Sequence, residues 1–298
     1  MSSAESDWLR MGAQWPNRAC SRFVSAGGMR WHVQEAGAGP AVLLLHGTGA
    51  ATHSWGGLLP LLARRFRVIA PDLPGHGFSA LPAPRHLTLP GMAAAFGGLL
   101  RQLGVAPQLA VGHSAGAAIL ARMCLDGLIA PASLVSLNGA LLPLEGLPGH
   151  LFAPLARTLA RVPLVPRLFA HGAVRPGVVE NLISKTGSSL GAEAVAHYRL
   201  LLQNPRHVSG VLGMMANWDL VALERELPGL GERLCLFACE GDLTVPAQLA
   251  ARVKAMVPGA QLRVLPGLGH LGHEEDPECF DRLLESLALE RGLLDLPA

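Results

Sequence analysis

A short apolar run that ends in a glycine-rich pentapeptide constrains the fold of this chain more than any other stretch. The run covers residues 109–111, the pentapeptide G-H-S-A-G covers residues 112–116, and a helical pattern follows over residues 115–123. A strand that reverses sharply into a helix strains its central residue and leaves no room for neighbouring side chains. The G-x-S-x-G pattern therefore predicts a turn that exposes the Ser114 hydroxyl at the top of a sheet. The alternative is that Ser114 only caps an alanine-rich helix.

Strand and helix patterns alternate on both sides of this motif. Continuous apolar runs, typical of strands buried on both faces, alternate with helical periodicity. This alternation predicts a parallel sheet with right-handed crossovers and helices on both faces. The predicted strands are residues 29–34, 41–45, 66–70, 109–111, 134–137, 234–238 and 261–265, and the predicted helices are residues 54–62, 88–103, 115–123, 247–256 and 277–289.

The alternation stops between about residues 143 and 229, where prolines recur and short amphipathic pieces such as 151–161 replace strands. We expect a helical cap, or lid, at residues 143–229, inserted into a core of residues 1–142 and 230–298, and we expect this cap to set substrate choice. Its side chains have two interpretations. They form a surface for an acyl chain or a flat apolar ligand with carboxylates, or they pack onto the sheet with the arginines in solvent. The residues concerned are Phe152, Phe169, Met214, Met215, Trp218, Arg157, Arg161, Arg167 and Arg175.

The composition argues against several classes of protein. Of 298 residues, 50% are hydrophobic and 15% are charged, which argues against a disordered protein. A formal net charge of +2 argues against a protein that binds nucleic acid. The five cysteines form no C-x-x-C pair and indicate free thiols in a reducing compartment. The first ten residues contain acids and no apolar stretch, so we expect a cytoplasmic protein without a signal peptide or a transmembrane segment. The apolar middle of the chain leaves peripheral membrane contact open.

A serine hydroxyl needs a base, an acid that orients the base, and donors for an oxyanion before it can act as a nucleophile. The candidate base is His270, after the last predicted strand; its rival His273 can also be a helix-start or surface residue. The candidate acid is Asp242, after the preceding strand, and its rival is Glu240. Because the carboxyl ends of parallel strands share one edge of a sheet, we expect Ser114, Asp242 and His270 to meet there.

We expect two backbone N–H groups to donate hydrogen bonds to the oxyanion. One belongs to Ala115, the residue after the candidate nucleophile, and the other to Thr48, in the loop after the second predicted strand. Glycines beside Thr48 let that loop approach a substrate closely. We take Gly47, His113 and Trp218 as candidate substrate contacts, and His46 as a residue that braces the loop.

No cofactor and no metal are expected. The Gly47-x-Gly49 pattern resembles a dinucleotide fingerprint, but Thr52 stands where the third glycine would be, and no phosphate-binding G-x-x-x-x-G-K-[ST] loop occurs. The H-E-E-D run at residues 273–276 is read as acids at the start of the Pro277 helix, where they favour its dipole, rather than as a metal site.

Five segments resemble the α/β-hydrolase fold superfamily over nearly the whole chain after residue 20. They are His46-Gly47, D-L-P-G-H-G at residues 72–77, G-H-S-A-G at residues 112–116, Asp242-x-x-Val245-Pro246 and Gly269-His270. The resemblance implies an eight-stranded, mostly parallel sheet and a Ser-His-Asp triad, in the order Ser114, Asp242, His270, that hydrolyses an ester, thioester or related acyl bond. One departure is Cys239, where many relatives carry glycine.

A narrower resemblance rests on W-P-N-R at residues 15–18, H-G-T-G-A-A-T-H-S-W at residues 46–55, and residues 112–117. These segments are similar to the magnesium-chelatase accessory proteins of bacteriochlorophyll biosynthesis. The resemblance implies an acyl or porphyrin-type substrate and magnesium chelatase subunits as partners, without implying that this chain inserts the metal. The alternative to a hydrolase is a non-catalytic accessory or porphyrin-binding protein on the same scaffold.

Overall fold

An eight-stranded sheet forms the centre of the protein in a computed structural model that describes residues 3–143 and 164–295. The strand order is β1-β2-β4-β3-β5-β6-β7-β8, and β2 alone runs against its neighbours β1 and β4. The mostly parallel sheet confirms the predicted fold class. The strands are β1 (Ser21–Ala26), β2 (Met29–Ala36), β3 (Ala41–Leu45), β4 (Arg67–Pro71), β5 (Leu109–His113), β6 (Ser133–Leu137), β7 (Leu234–Cys239) and β8 (Gln261–Leu265).

Strand β1 is absent from the sequence prediction because it carries no apolar run. Its residues S-R-F-V-S-A are mostly half-buried or exposed, and it lies at the sheet edge, paired only with β2. An edge strand with one neighbour needs little of the apolar character that marks a central strand.

Helices lie on both faces of the sheet, as the alternation predicts. The α-helices in the described part of the chain are α1 (Ser3–Met11), α2 (Leu58–Leu62), α3 (Leu89–Leu103), α4 (Ala115–Leu125), α5 (Leu164–Gly172), α6 (Val178–Ser184), α7 (Ala192–Leu202), α8 (Pro205–Ala216), α9 (Val221–Glu226), α10 (Ala247–Met256), α11 (Gly272–Glu275) and α12 (Pro277–Glu290). The helix expected over residues 54–62 is divided into a 3₁₀ turn (Thr52–Trp55) and α2, with Gly56 and Gly57 between them. Glycine is a poor helix former, which accounts for the break.

The core consists of two apolar layers, one on each face of the sheet. Along β3, Leu43 and Leu45 contact the layer that α3, α4 and α10 cover, whereas Val42 and Leu44 contact the layer beneath α2 and α12. All four side chains are fully buried. Burial of one such side chain stabilises the fold by about 1.5–3 kcal/mol, so both helical layers are held firmly to the sheet.

Among the described residues between β6 and β7, the regular secondary structure is helical, and we call α5–α9 the cap. It packs on the core through close backbone contact: a Cβ added to Gly210 of α8 would overlap the backbone of Gly75. From α8, the guanidinium of Arg206 donates to the carbonyl oxygens of Ser79 and Gly77. The predicted amphipathic piece 151–161, with Phe152, Arg157 and Arg161, lies outside the described residues. The boundaries at 142/143 and 229/230 stay a prediction.

None of the helices in residues 3–143 and 164–295 has both the length and the apolar character needed to cross a bilayer. All five cysteines are free thiols; Cys124, Cys235 and Cys239 are buried, and Cys20 and Cys279 are half-buried.

Candidate active site

The turn between β5 and α4 has the strained geometry that the sequence predicts. Ser114 lies in it with φ 50° and ψ −118°, a backbone conformation that side-chain-bearing residues rarely adopt. A Cβ at Gly112 would overlap the backbone of Ala117, and a Cβ at Gly116 would overlap the carbonyl oxygen of Leu45. Both glycines are therefore required because neighbouring backbone occupies the space of a side chain.

Ser114 lines a cavity whose wall the cap forms in part. Only 9% of the residue is exposed. The cavity has a volume of about 410 Å³, and His270 lines it together with Ser114. The candidate contacts and donors Thr48, His113, Ala115 and Trp218 also line it.

Asp242 lies behind His270 and orients it. The Nδ1 atom of His270 is 2.7 Å from Oδ2 of Asp242, and the other carboxylate oxygen accepts the N–H groups of Thr244 and Val245 at 2.7 and 2.8 Å. Because a carboxylate only accepts, Nδ1 of His270 carries a proton, and in the neutral ring Nε2 is the atom that can accept one. The rival acid Glu240 is exposed and has no such contact with His270.

The loop after β3 is held by His46, whose two ring nitrogens have different partners. Nε2 accepts the N–H of Leu73 at 2.9 Å, so Nδ1 carries the proton and donates to the carbonyl oxygen of Gly47 at 2.8 Å. Burial lowers the pKa of His46, which keeps the ring in this neutral form. The Gly47–Thr48 peptide is trans, so the N–H of Thr48 points opposite to the carbonyl oxygen of Gly47. Since that oxygen faces the ring of His46, the N–H of Thr48 points away from it.

The second candidate oxyanion donor belongs to Ala115, which lines the same cavity. Ala115 is the first residue of α4, and the first N–H groups of a helix have no partner within the helix.

Gly47 packs behind Ser114 instead of lining the cavity: a Cβ placed on it would lie 2.9 Å from Nδ1 of His113 and 3.0 Å from Cβ of Ser114. Its glycine identity lets the loop lie directly against the turn.

The carboxylate of Asp72 holds the loop after β3 in place. It accepts from Nδ1 of His32 at 2.8 Å and from the N–H groups of Thr52 and Phe78, both at 2.7 Å. Burial acts to raise the pKa of Asp72, but the nearby His32 outweighs it and holds the pKa well below its ordinary value. These hydrogen bonds join Asp72 to β2 and to two loops, so its role is structural.

His273 is buried, so its interpretation as a surface residue is wrong. Its Nε2 atom lies 2.9 Å from Oγ of Ser54, and its ring packs against Trp55 and against His113, with the ring centres 4.6 and 4.5 Å apart. Burial lowers the pKa of His273 to about 3, so the ring is neutral near pH 7. It therefore fills space behind the candidate base.

Glu274 is also misread from the sequence. The prediction that it favours the dipole of α12 is wrong, because its side chain is buried and accepts from Oγ of Ser54 at 2.6 Å and from the hydroxyl of Tyr198 at 2.5 Å. Burial raises the pKa of Glu274 to about 7. Asp276 does serve the helix, since its carboxylate accepts the N–H of Cys279 at 2.9 Å. The burial of Glu274 has no local sequence signal, because only tertiary contacts produce it.

The cap also holds the loops of the candidate acid and base, which the sequence analysis does not anticipate. The carbonyl oxygen of Thr186 accepts the N–H groups of both Leu243 and His270 at 3.2 Å, and Oγ of Ser188 accepts the N–H of Leu271 at 2.8 Å. Thr186 and Ser188 follow α6 and belong to no motif, so nothing local marks them.

The cavity wall is largely apolar. Among the described residues that line it, none is Asp, Glu, Lys or Arg. Of the arginines considered for carboxylate binding, Arg167 and Arg175 are exposed and do not line the cavity. Within the described ranges, no three His, Cys, Asp or Glu side chains are grouped so that they could hold a metal ion.

Residues 42–279 match the model of the alpha/beta hydrolase family. The chain therefore belongs to the α/β hydrolase family, as the fold and the turn at Ser114 predict. Among its relatives is the magnesium-chelatase 30 kDa subunit of Rhodobacter capsulatus, to which it is 40% identical over 265 residues, covering 88% of this chain and 92% of the relative. This likeness confirms the narrower resemblance seen in the sequence.

Solved structures agree on the fold. An α/β hydrolase fold protein from Burkholderia ambifaria superposes with a TM-score of 0.73 at 22% identity, covering 90% of this chain and 97% of that chain. An esterase from Thermogutta terrifontis gives a TM-score of 0.69 at 21% identity, covering 91% and 98% of the two chains. At these identities the likeness concerns the fold alone.

Proposed function

We propose that this chain is a serine hydrolase that cleaves an ester, thioester or related acyl bond of an uncharged, largely apolar substrate. One observation carries the proposal: His270, oriented by Asp242 through a 2.7 Å hydrogen bond, lines the same cavity as the strained Ser114. Nucleophile, base and acid are the three groups that acyl transfer through serine requires.

In the first half of the reaction, Oγ of Ser114 attacks the carbonyl carbon while Nε2 of His270 takes the hydroxyl proton. The oxygen that becomes negative is held by the N–H groups of Thr48 and Ala115. The bond to the leaving group then breaks, and the imidazolium returns its proton to that group. Asp242 stabilises the imidazolium and keeps its Nε2 atom turned toward the cavity.

In the second half, a water molecule attacks the acyl-enzyme. Nε2 of His270 removes a proton from the water, the new carbon–oxygen bond forms, and the bond to Ser114 breaks with the proton returned to Oγ. The products are a free acid and the regenerated serine, so no cofactor takes part.

The substrate class follows from the cavity wall. Apolar side chains from α6 and α7 form one side, and Met215 and Trp218 from the end of α8 and beyond form another. A buried charge without a partner is unfavourable by several kcal/mol, and the described wall offers no charged partner. A neutral acyl group suits such a wall better than one that carries a carboxylate. The side chains of α6 and α7 that line it are Val179, Leu182, Ile183, Tyr198 and Leu202.

A fluorophosphonate probe tests the proposal because it reacts covalently with an activated serine. The wild-type chain is expected to be labelled, and Ser114→Ala is expected to be unlabelled while its circular dichroism spectrum is unchanged. Ser286→Ala, on α12, is the matched control and should label like the wild type. Equal labelling of the wild type and Ser114→Ala would rule out this role for Ser114.

A second function is favoured by the 40% identity to a protein named a magnesium-chelatase subunit. In this alternative, the chain assists magnesium chelatase in bacteriochlorophyll biosynthesis without hydrolysis, by contact with its subunits or by binding a porphyrin. The two functions are compatible if the substrate is a pathway ester or another acyl compound.

Two measurements separate the alternatives. A photosynthetic host that depends on this chain should lose pigment when it carries Ser114→Ala if hydrolysis is needed, and should keep normal pigment if the role is non-catalytic. Porphyrin binding is tested by adding micromolar protein to protoporphyrin. Quenched fluorescence would support a porphyrin ligand, and unchanged fluorescence would remove it.

A further inference from the structure

Asn138 has an unusual backbone conformation beside the candidate site. It follows the last residue of β6 with φ 46°, in the left-handed region that residues other than glycine seldom occupy. Asparagine tolerates this region better than most residues. The side chain is buried, with 5% of the residue exposed. Strand β6 lies between β5 and β7, and the carboxyl ends of these three strands lie side by side. Asn138 is therefore at the same end of the sheet as Ser114 and the last residue of β7.

The amide of Asn138 uses both its ends. Its Oδ1 atom accepts the N–H of Cys239 at 2.7 Å, which fixes the orientation of the amide because a backbone N–H can only donate. Its Nδ2 atom therefore faces the carbonyl oxygens of Gly269 and His270, at 3.1 and 2.9 Å. One side chain thus joins the end of β7 to two consecutive peptides of the loop after β8.

That loop has little structure of its own. Residues 266–270 belong to neither strand nor helix, so their position depends on contacts from other elements. The carbonyl oxygen of His270 accepts from two side chains, Nδ2 of Asn138 and Nε2 of His113, each at 2.9 Å. A misplacement of about 1 Å in a reacting group can lower a rate about 100-fold, so the place of this peptide matters for the imidazole.

We propose that Asn138 is a positioning residue for His270, and that its amide sets where the imidazole stands relative to Ser114. It touches neither substrate nor reacting atoms and acts only through the main chain of His270. The inference rests on the proposed function, because a position for the base matters only if His270 acts as one.

Two variants test this role. Asn138→Gly keeps the left-handed backbone favourable and removes all three side-chain hydrogen bonds. Asn138→Asp keeps the shape of the side chain and the acceptor toward Cys239, but it places an oxygen where Nδ2 donated to two carbonyls. Asn17→Gly is the matched control, because Asn17 is also left-handed (φ 53°) and its Nδ2 atom donates to the carbonyl oxygen of Gly56 at 3.0 Å, away from the cavity.

The experiment measures kcat and KM on p-nitrophenyl butanoate, with labelling by the fluorophosphonate probe, well below each variant's unfolding temperature. Both Asn138 variants are expected to lose kcat by about 10- to 100-fold with KM changed less than about twofold. Asn17→Gly should keep wild-type kcat. A purely structural role would lower the unfolding temperature of the Asn138 variants and leave kcat unchanged.

The outcomes distinguish the two proposals. If Ser114→Ala abolishes labelling while both Asn138 variants keep the kcat of Asn17→Gly, the positioning role is wrong and the hydrolase proposal stands. If Ser114→Ala is labelled like the wild type, the hydrolase proposal fails regardless of Asn138. Where Asn138→Gly does not fold, Asn138→Asp, which preserves the side-chain shape, decides the question.

Discussion

The Nε2 atom of His113 lies 2.9 Å from the carbonyl oxygen of His270. His113 immediately precedes Ser114, so this contact ties the strained turn directly to the loop of the candidate base. Because a carbonyl oxygen only accepts, Nε2 carries the proton. Burial, with His273 and His270 nearby, holds the pKa of His113 well below its ordinary value, so the ring remains neutral. The hydrogen bond between the turn and the loop therefore does not depend on a charge on His113.

Replacement of Asp242 by asparagine should leave the fold intact and lower kcat roughly 10⁴-fold, because the amide would donate to the imidazole and favour the wrong tautomer. The measurement is steady-state hydrolysis of p-nitrophenyl butanoate. Glu240→Gln, two residues earlier and exposed, is the matched control and should behave like the wild type. If the two variants have equal activity, Asp242 is not the orienting acid.

Gly116→Ala should destabilise the fold by about 1–3 kcal/mol or more, because the added Cβ would overlap the carbonyl oxygen of Leu45 and force the backbone of β3 to move. Urea unfolding measures the change. Gly172→Ala is the control: nothing lies within 4 Å of a Cβ at that position, which ends α5. Similar stabilities for the two variants would contradict the close contact between turn and strand.

Glu274 should make stability depend on pH between about 4.5 and 7. Burial raises its pKa from 4.5 to about 7, so in this range the folded protein keeps a proton that the unfolded chain releases. The stabilisation is complete below pH 4.5 and is lost as the pH rises through 7. Relative to Glu274→Gln, the wild type should lose on the order of 3 kcal/mol over this window.

The measurement is urea unfolding of both proteins at several values between pH 4.5 and 8. His273 is common to both proteins, so the difference between their free energies of unfolding isolates Glu274. Glu240→Gln serves as the control for replacing an exposed carboxyl by an amide. A difference between the wild type and Glu274→Gln that stays constant with pH would show that the buried carboxyl has an ordinary pKa.

Because no described residue of the cavity wall is Asp, Glu, Lys or Arg, the cavity should select against anionic substrates. The neutral p-nitrophenyl butanoate should have a kcat/KM at least tenfold above that of a p-nitrophenyl ester with a terminal carboxylate, since a tenfold ratio corresponds to only about 1.4 kcal/mol. Met215→Arg should narrow this ratio, because it places a positive charge in the cavity wall where it can pair with the carboxylate. The Met215 residue is 52% exposed, so an arginine can be accommodated there. Leu243→Arg, 69% exposed and outside the cavity wall, should not narrow the ratio. A wild type without preference would contradict the proposed substrate class.

Much of the scaffold can be predicted from local sequence patterns. The apolar run over β3 and the alternation of its side chains between two layers are local properties, and the sequence predicts them. The turn at Ser114 is equally local, because the need for glycine on either side follows from the change of direction between strand and helix. Strand β1 was missed for the same kind of reason: an edge strand carries no strong local pattern.

What the sequence by itself determined is therefore the alternation of buried strands and helices in the core, the strained turn, and the edge of the sheet at which Ser114, Asp242 and His270 should be sought. Tertiary structure alone decided that Asp242 rather than Glu240 contacts His270, that Glu274 is buried, and that Asn138 holds the loop of the base. The physical reason is range. Periodicity and turn chemistry act between near neighbours, whereas burial and hydrogen bonding across more than a hundred residues depend on which loops the folded sheet brings together and which groups it removes from water.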